Sequence, residues 1–150
     1  GPLRETAARL RTVDIIVVNG EANQSFTDGQ HMMRIEASTA MPLNSSVSAQ
    51  ALGQTVHAVA GIGNPERFFT SLEQLGFTFE KHVFNDHHAY QQHELQFADA
   101  KPVVMTEKDA VKCLHFAELD RHFYLPVSAK LPATFWQHVD QQLQPLLKKA

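Results

Sequence analysis

Three polar stretches in this chain carry residue types suited to proton transfer or anion handling: Asp86-His87-His88, Thr106-Glu107-Lys108-Asp109, and the glycine turn that runs from Gly61 to Arg67. In the first, a carboxylate beside an imidazole can orient the ring, select its tautomer and hold its pKa near neutrality, which suits general acid–base work. Asp86 and His87 are therefore candidate catalytic residues. Nine histidines in 150 residues also make chance neighbours common. A metal centre is not expected: His82, His87, His88 and His93 form no i, i+4 helical pair and face no second cluster at ligand spacing. In the second stretch Thr106 or Asp109 can cap a helix, which explains one polar residue and not four. Glu107, Lys108 and Asp109 can form a structural ion-pair network or support an active site, and both readings stay open. In the third, Gly61 and Gly63 resemble a dinucleotide-binding turn, but Glu66 stands where the third glycine belongs and would set a carboxylate against a pyrophosphate. Arg67 is the residue there that can bind an anion.

Each stretch follows an apolar run, so the elements that position them can be read from pattern. Val56–Ala60 is short and uncharged, as a strand covered on both faces should be. Asn64 can cap the next helix, Pro65 suits its first position, Gly76 ends it, and Phe68, Phe69, Leu72 and Leu75 make one apolar face. Phe77–Phe84 leads to a helical segment from His88 to about Ala98. Pro102–Met105 leads to a helix from about Asp109 to Glu118, and Phe123–Val127 to a last helix from about Ala133, with Trp136, Val139, Leu143 and Leu146 on one face and Pro145 near its end. Four strand–helix units predict an α/β fold with a mostly parallel sheet flanked by helices. Upstream, residues 2–11 predict a basic-edged helix, Val13–Val18 a buried strand with a parallel partner, and His31–Ala37 with Met41–Leu43 a small strand pair near 30–45. The expected division is 1–54 and 55–150.

The totals narrow the classes. A length of 150 residues supports about one domain with a real core. With 43% hydrophobic and 19% charged residues and no apolar run of about 20, the visible chain is expected to be soluble. A net charge of −3 argues against a nucleic-acid partner, and one cysteine rules out an internal disulfide framework. The start at Gly1-Pro2-Leu3-Arg4 has no initiator Met, so the chain is expected to be cut from something longer.

Taken together, GPLRE (1–5), VDIIVVNG (13–20), VHAVAGIGNPERFF (56–69), FNDHH (84–88), VVMTEKDAVKC (103–113) and FYLPV (123–127) resemble the C-terminal half of the tetraacyldisaccharide 4'-kinase family. The resemblance implies a P-loop kinase-like, Rossmann-like three-layer fold. It implies ATP and Mg²⁺ as cofactors of the full-length enzyme and a lipid A disaccharide precursor as substrate. It places the whole protein at the cytoplasmic face of the bacterial inner membrane, in contact with the membrane surface. No G-x-x-x-x-G-K-[S/T] occurs in the chain, so the P-loop, the magnesium ligands and the catalytic Asp are expected in a preceding N-terminal half. That half is the implied partner, and this chain alone is expected to be inactive and to bind no cofactor. The family's histidine that contacts the catalytic Asp matches His87, and Arg4 matches an arginine that faces the lipid. Two alternatives remain: a metal-dependent phosphoesterase using Asp86-His87-His88, and a non-catalytic α/β interaction domain.

Overall fold

The computed structural model describes residues 5–20 and 30–147. They fall into two compact units, one built from residues up to Glu36 and from Ser128 onward, the other from Ala37–Val127. The expected boundary near residue 54 is therefore not where the contacts divide, and the last helix belongs with the N-terminal segment.

The larger unit holds a five-stranded sheet of β3 (Met41–Pro42), β4 (Thr55–Ala60), β5 (Thr78–Val83), β6 (Val103–Thr106) and β7 (His122–Leu125), in the order β3-β7-β6-β4-β5. All neighbours are parallel except β3 with β7. Strand β4 is central and buried from Val56 onward. Its alternation divides the core between two faces. Val56, Ala58 and Ala60 pack with Phe68, Phe69 and Leu72 of helix α1 (Glu66–Gln74). Val59 packs with Ala110 and Cys113 of α2 (Glu107–Cys113) and with Tyr90 and Leu95. The result is a helix–sheet–helix sandwich, the expected α/β class.

Local signals explain most boundaries. Helix α1 ends in a Schellman motif: Gly76 sits at φ +83, its N–H reaches the Glu73 carbonyl at 3.0 Å, and Phe77 N–H reaches Leu72 at 3.0 Å. At its start Asn64 makes no cap; Pro65 is already helical and its carbonyl takes the Phe68 and Phe69 N–H groups. Leu75 is 45% exposed, so the buried stripe is Phe68, Phe69 and Leu72. Thr106 caps α2, which begins two residues earlier and ends five earlier than expected. Cys113 is a core residue, its thiol pushed up to about 11 by burial and then by Asp109.

Four expectations are corrected. The segment after β5 is not a helix; it contains a single 3₁₀ turn, Gln92–Leu95, closed by a capping box between Gln91 and Glu94. The fourth strand splits at Pro126: β7 stays in this sheet, while β8 (Val127–Lys130) joins β1 (Ile16–Asn19) and β2 (Gln30–Ala37) in a three-stranded sheet ordered β1-β2-β8. Accordingly β2 and β3 are not a pair. They lie in different sheets, and β2 is the parallel partner of β1. As an edge strand β1 is half-exposed rather than buried, with Val17 at 42%.

In the smaller unit, the expected first helix is a 3₁₀ stretch, Ala7–Thr12. Helix α3 (Ala133–Leu147) runs through Pro145 and buries no residue fully. Phe135 and His138 meet His31, with ring centroids at 5.5 and 5.4 Å. Trp136, Leu143 and Leu146 of the expected apolar face are exposed. Among the described residues, no helix is long and apolar enough to cross a membrane.

Candidate active site at the strand ends

The turns after β4, β5 and β6 all leave the same end of the parallel sheet, the end at which open α/β folds present ligand groups. Two carboxylates organise them. Asp109 is fully buried. Its Oδ2 accepts hydrogen bonds from Gly61 N–H at 2.8 Å and the Thr106 hydroxyl at 2.7 Å, and its Oδ1 accepts from Lys112 Nζ at 2.8 Å. Asp109 N–H in turn donates to Thr106 Oγ1 at 3.1 Å, which is the helix cap. One side chain thus ties the glycine turn after β4 to the start of α2. Gly61 is required there: a Cβ would sit 2.5 Å from Tyr90 Oη and 3.3 Å from both the Asn85 carbonyl and Asp109 Oδ1. Tyr90 is buried, and its hydroxyl has no hydrogen-bond partner among the described residues. Burial first, then the Asp109 charge, hold the phenol protonated well above its usual range.

Asp86 faces the other way. Its Oδ1 accepts from Lys108 Nζ at 3.0 Å and from the His87 N–H at 3.0 Å, and its Oδ2 lies 3.6 Å from His87 Nε2. The Lys108 bond is the main reason its carboxyl is held below the ordinary value of 3.8, with the His87 charge adding to it. His87 adopts φ +64, an uncommon left-handed conformation, with its side chain 77% exposed. His88 turns inward. Its Nε2 lies 3.1 Å from both Glu94 carboxylate oxygens, and its ring packs on Phe84 and Tyr90. Glu94 also accepts the Gln91 N–H at 2.7 Å, which with His88 holds its carboxyl below the usual range.

The fold therefore brings Asp86, His87 and Lys108 together at the rim and sets Asp109 beneath them as a bracket. Glu107 is exposed and lines a separate hollow with Pro42, Leu43 and Tyr124. Arg67 is exposed in the first turn of α1, on the helix that follows the glycine turn. Arg4 lies outside the described residues. Tyr90, Glu94 and Lys112 were missed by pattern reading; the Gln91-x-x-Glu94 spacing was the available signal for Glu94. Among the described residues, Asp86, His87 and His88 do not gather three ligand atoms around one point, whereas His57, Glu80 and His82 do. At the glycine turn, Glu66 brings a carboxylate to the helix start, where it pairs with Lys81 Nζ at 3.1 Å, and Lys108 pairs with Asp86.

The profile of the tetraacyldisaccharide-1-P 4'-kinase family matches residues 1–144. The tetraacyldisaccharide 4'-kinase of Nitrosococcus oceani is 44% identical over 99% of the chain, and that of Halorhodospira halophila 48% identical over 85%. These matches span 44% and 38% of those relatives, so the chain covers less than half their length. A crystal structure described as the "apo" form of LpxK from Aquifex aeolicus in complex with ATP superposes over 98% of the chain and 45% of its own length, with a TM-score of 0.65 at 23% identity, which supports the fold. The chain belongs to the tetraacyldisaccharide-1-P 4'-kinase family.

Proposed function

We propose that this chain supplies the histidine arm of a lipid kinase that moves the ATP γ-phosphoryl group to the 4'-hydroxyl of a tetraacyl disaccharide 1-phosphate, a step of lipid A biosynthesis. One observation carries the reading: of two adjacent histidines at a strand end, His88 is engaged by Glu94, while His87 is exposed and held beside Asp86 in a left-handed turn. A histidine free to meet a second partner fits the role that the resemblance gives His87, contact with a catalytic Asp from another part of the protein. Phosphoryl transfer needs positioning and charge neutralisation more than covalent help. A sugar hydroxyl is a weak nucleophile, so a base that takes its proton contributes about 10²–10⁴ in rate. In this reading His87 orients that base and shares the accepted proton, Asp86 sets the ring's position, and Lys108 fixes Asp86.

The sequence contains no G-x-x-x-x-G-K-[S/T], so we assign ATP and Mg²⁺ to the portion of the relatives that the chain does not cover. That portion is the proposed partner, the whole protein is placed at the cytoplasmic face of the inner membrane, and Arg4 and Arg67 are proposed to meet the anionic lipid. The chain alone should neither bind ATP nor be active. Saturable, magnesium-dependent ATP binding in calorimetry would contradict that division.

The test is steady-state kinetics of the whole protein with the lipid substrate. His87→Ala should lower kcat about 100-fold or more and leave KM nearly unchanged. His88→Ala should lower kcat far less. Equal losses in the two variants would remove His87 from the mechanism.

A further inference from the structure

Strand pairing builds a second cluster that shares no residue with the rim. In the parallel register His57 of β4 stands opposite Glu80 of β5, and Val59 opposite His82. Residues two apart on a strand share a face, so the two imidazoles and the carboxylate point to one side of the sheet. His57 Nδ1 lies 2.9 Å from His82 Nε2 and 3.8 Å from Glu80 Oε2, and the three potential ligand atoms all fall within 4.8 Å of one another.

We propose that His57, Glu80 and His82 bind a first-row divalent transition metal, Zn²⁺ by preference, which clips β4 to β5. Three features support a ligand site over a chance cluster. His57 Nε2 lies 2.8 Å from Asp99 Oδ1, and Asp99 also pairs through Oδ2 with Lys101 Nζ at 2.6 Å, so Asp99 is a carboxylate acceptor. The His57 proton then belongs on Nε2, which leaves the Nδ1 lone pair aimed at the cluster. This is the carboxylate–histidine pairing that orients metal-bound imidazoles. Second, His82 Nε2 at 2.9 Å and Glu80 Oε2 at 3.8 Å both stand beside that Nδ1, so two side chains of β5 converge on one lone pair of β4. Third, Phe97 stacks on His57 at 3.9 Å and packs on His82 at 4.2 Å, an apolar wall over two ligands.

The dimensions suit the ion. Zinc takes imidazole nitrogen at about 2.0–2.1 Å and carboxylate oxygen at about 2.0–2.2 Å, so tetrahedral ligands stand about 3.3 Å apart. The nitrogens need to open by a few tenths of an ångström, while the exposed Glu80 side chain, with its carboxylate 3.8 Å from His57 Nδ1 and within 4.8 Å of the other ligand atoms, swings in to close the set. His57 is buried, while the Glu80 side chain is 65% exposed, which gives the ion an entry side and a solvent-facing fourth position. Two imidazoles and one carboxylate do not suit Mg²⁺, which takes oxygen ligands in octahedral array.

The experiment is a competition titration of the chelator-stripped full chain at neutral pH, using Zn²⁺ against a chromophoric indicator. One Zn²⁺ per chain should bind at micromolar concentration or tighter, unaffected by excess Mg²⁺, and Co²⁺ should give the visible bands of a tetrahedral ion. Asp99→Asn should weaken binding about 10–100-fold, and His82→Gln or Glu80→Gln at least as much. Both of the latter lie on an edge strand, so Glu80→Gln carries the test if His82→Gln fails to fold. The exposed His115→Gln should bind like the parent chain. Equal affinity in the parent chain and both β5 variants, or a loss that follows His115, would overturn the site.

Discussion

Asp109 and Asp86 follow β6 and β5, the two strands that flank β4 in one sheet, and do opposite work. Asp109 is buried, and both its oxygens are taken up by Gly61, Thr106 and Lys112. Asp86 is exposed, and its partners are the flexible Lys108 and the next residue, His87. The difference is one of solvent. A buried carboxylate without partners costs several kcal/mol, so its neighbourhood must be complete and rigid. A rim carboxylate is free to exchange partners when substrate arrives. The run Thr106-Glu107-Lys108-Asp109 is thus two devices interleaved: Thr106 and Asp109 build the bracket, and Lys108 points outward to the rim.

The largest effect should come from breaking the bracket. Asp109→Ala leaves Lys112 without its carboxylate and the Gly61 N–H without its acceptor, and should destabilise the chain by about 3–5 kcal/mol in urea unfolding. That is a large part of the roughly 5–15 kcal/mol that holds a domain together. Gly61→Ala presses a methyl group against Tyr90 and should cost about 1–3 kcal/mol by the same measurement. A smaller loss in either would mean that the bracket relaxes more than its geometry suggests.

Rim substitutions should barely move stability. His87→Gly removes the imidazole while keeping a residue at ease with φ +64, so unfolding should shift by no more than about 0.5 kcal/mol. A large destabilisation would place His87 with the bracket.

The smallest effect is on titration. By NMR, the Asp86 carboxyl should titrate below its ordinary 3.8, and Lys108→Ala should return it toward that value. Because the folded pKa is depressed, its stabilising contribution is complete above 3.8 and is lost as pH falls through the folded value. An Asp86 titration unchanged by Lys108→Ala would show that the pair does not persist in solution.

Much of this contrast is legible in the sequence where causes are local. The uncharged run before Gly61, the Gly76 stop and the Thr106 cap need only neighbours along the chain, and each forms an element boundary in the fold. The adjacency of Asp86 and His87 is likewise plain, and their position after a strand follows from it. What stays hidden depends on partners far along the chain. Nothing near Asp109 says that its oxygens meet Gly61, 48 residues away. The alternation of Glu80 and His82 is visible, but His57 joins them only once the β4–β5 register is known. The helix expected after His88 fails because Tyr90 and Leu95 go into the core through an irregular segment, which the apolar spacing alone does not distinguish from a helix. Pro126 marks the place where the chain leaves one sheet for another, and the destination, β1 and β2, is a tertiary fact.

The most direct test of the division between bracket and rim is to measure unfolding midpoint and kcat together in the whole protein for Asp109→Asn and His87→Ala. Asp109→Asn should lower the midpoint by the equivalent of about 1–3 kcal/mol, and His87→Ala should leave the midpoint in place while kcat falls about 100-fold or more. A His87→Ala protein that loses stability and activity in step, or an Asp109→Asn protein as stable as its parent, would contradict that division.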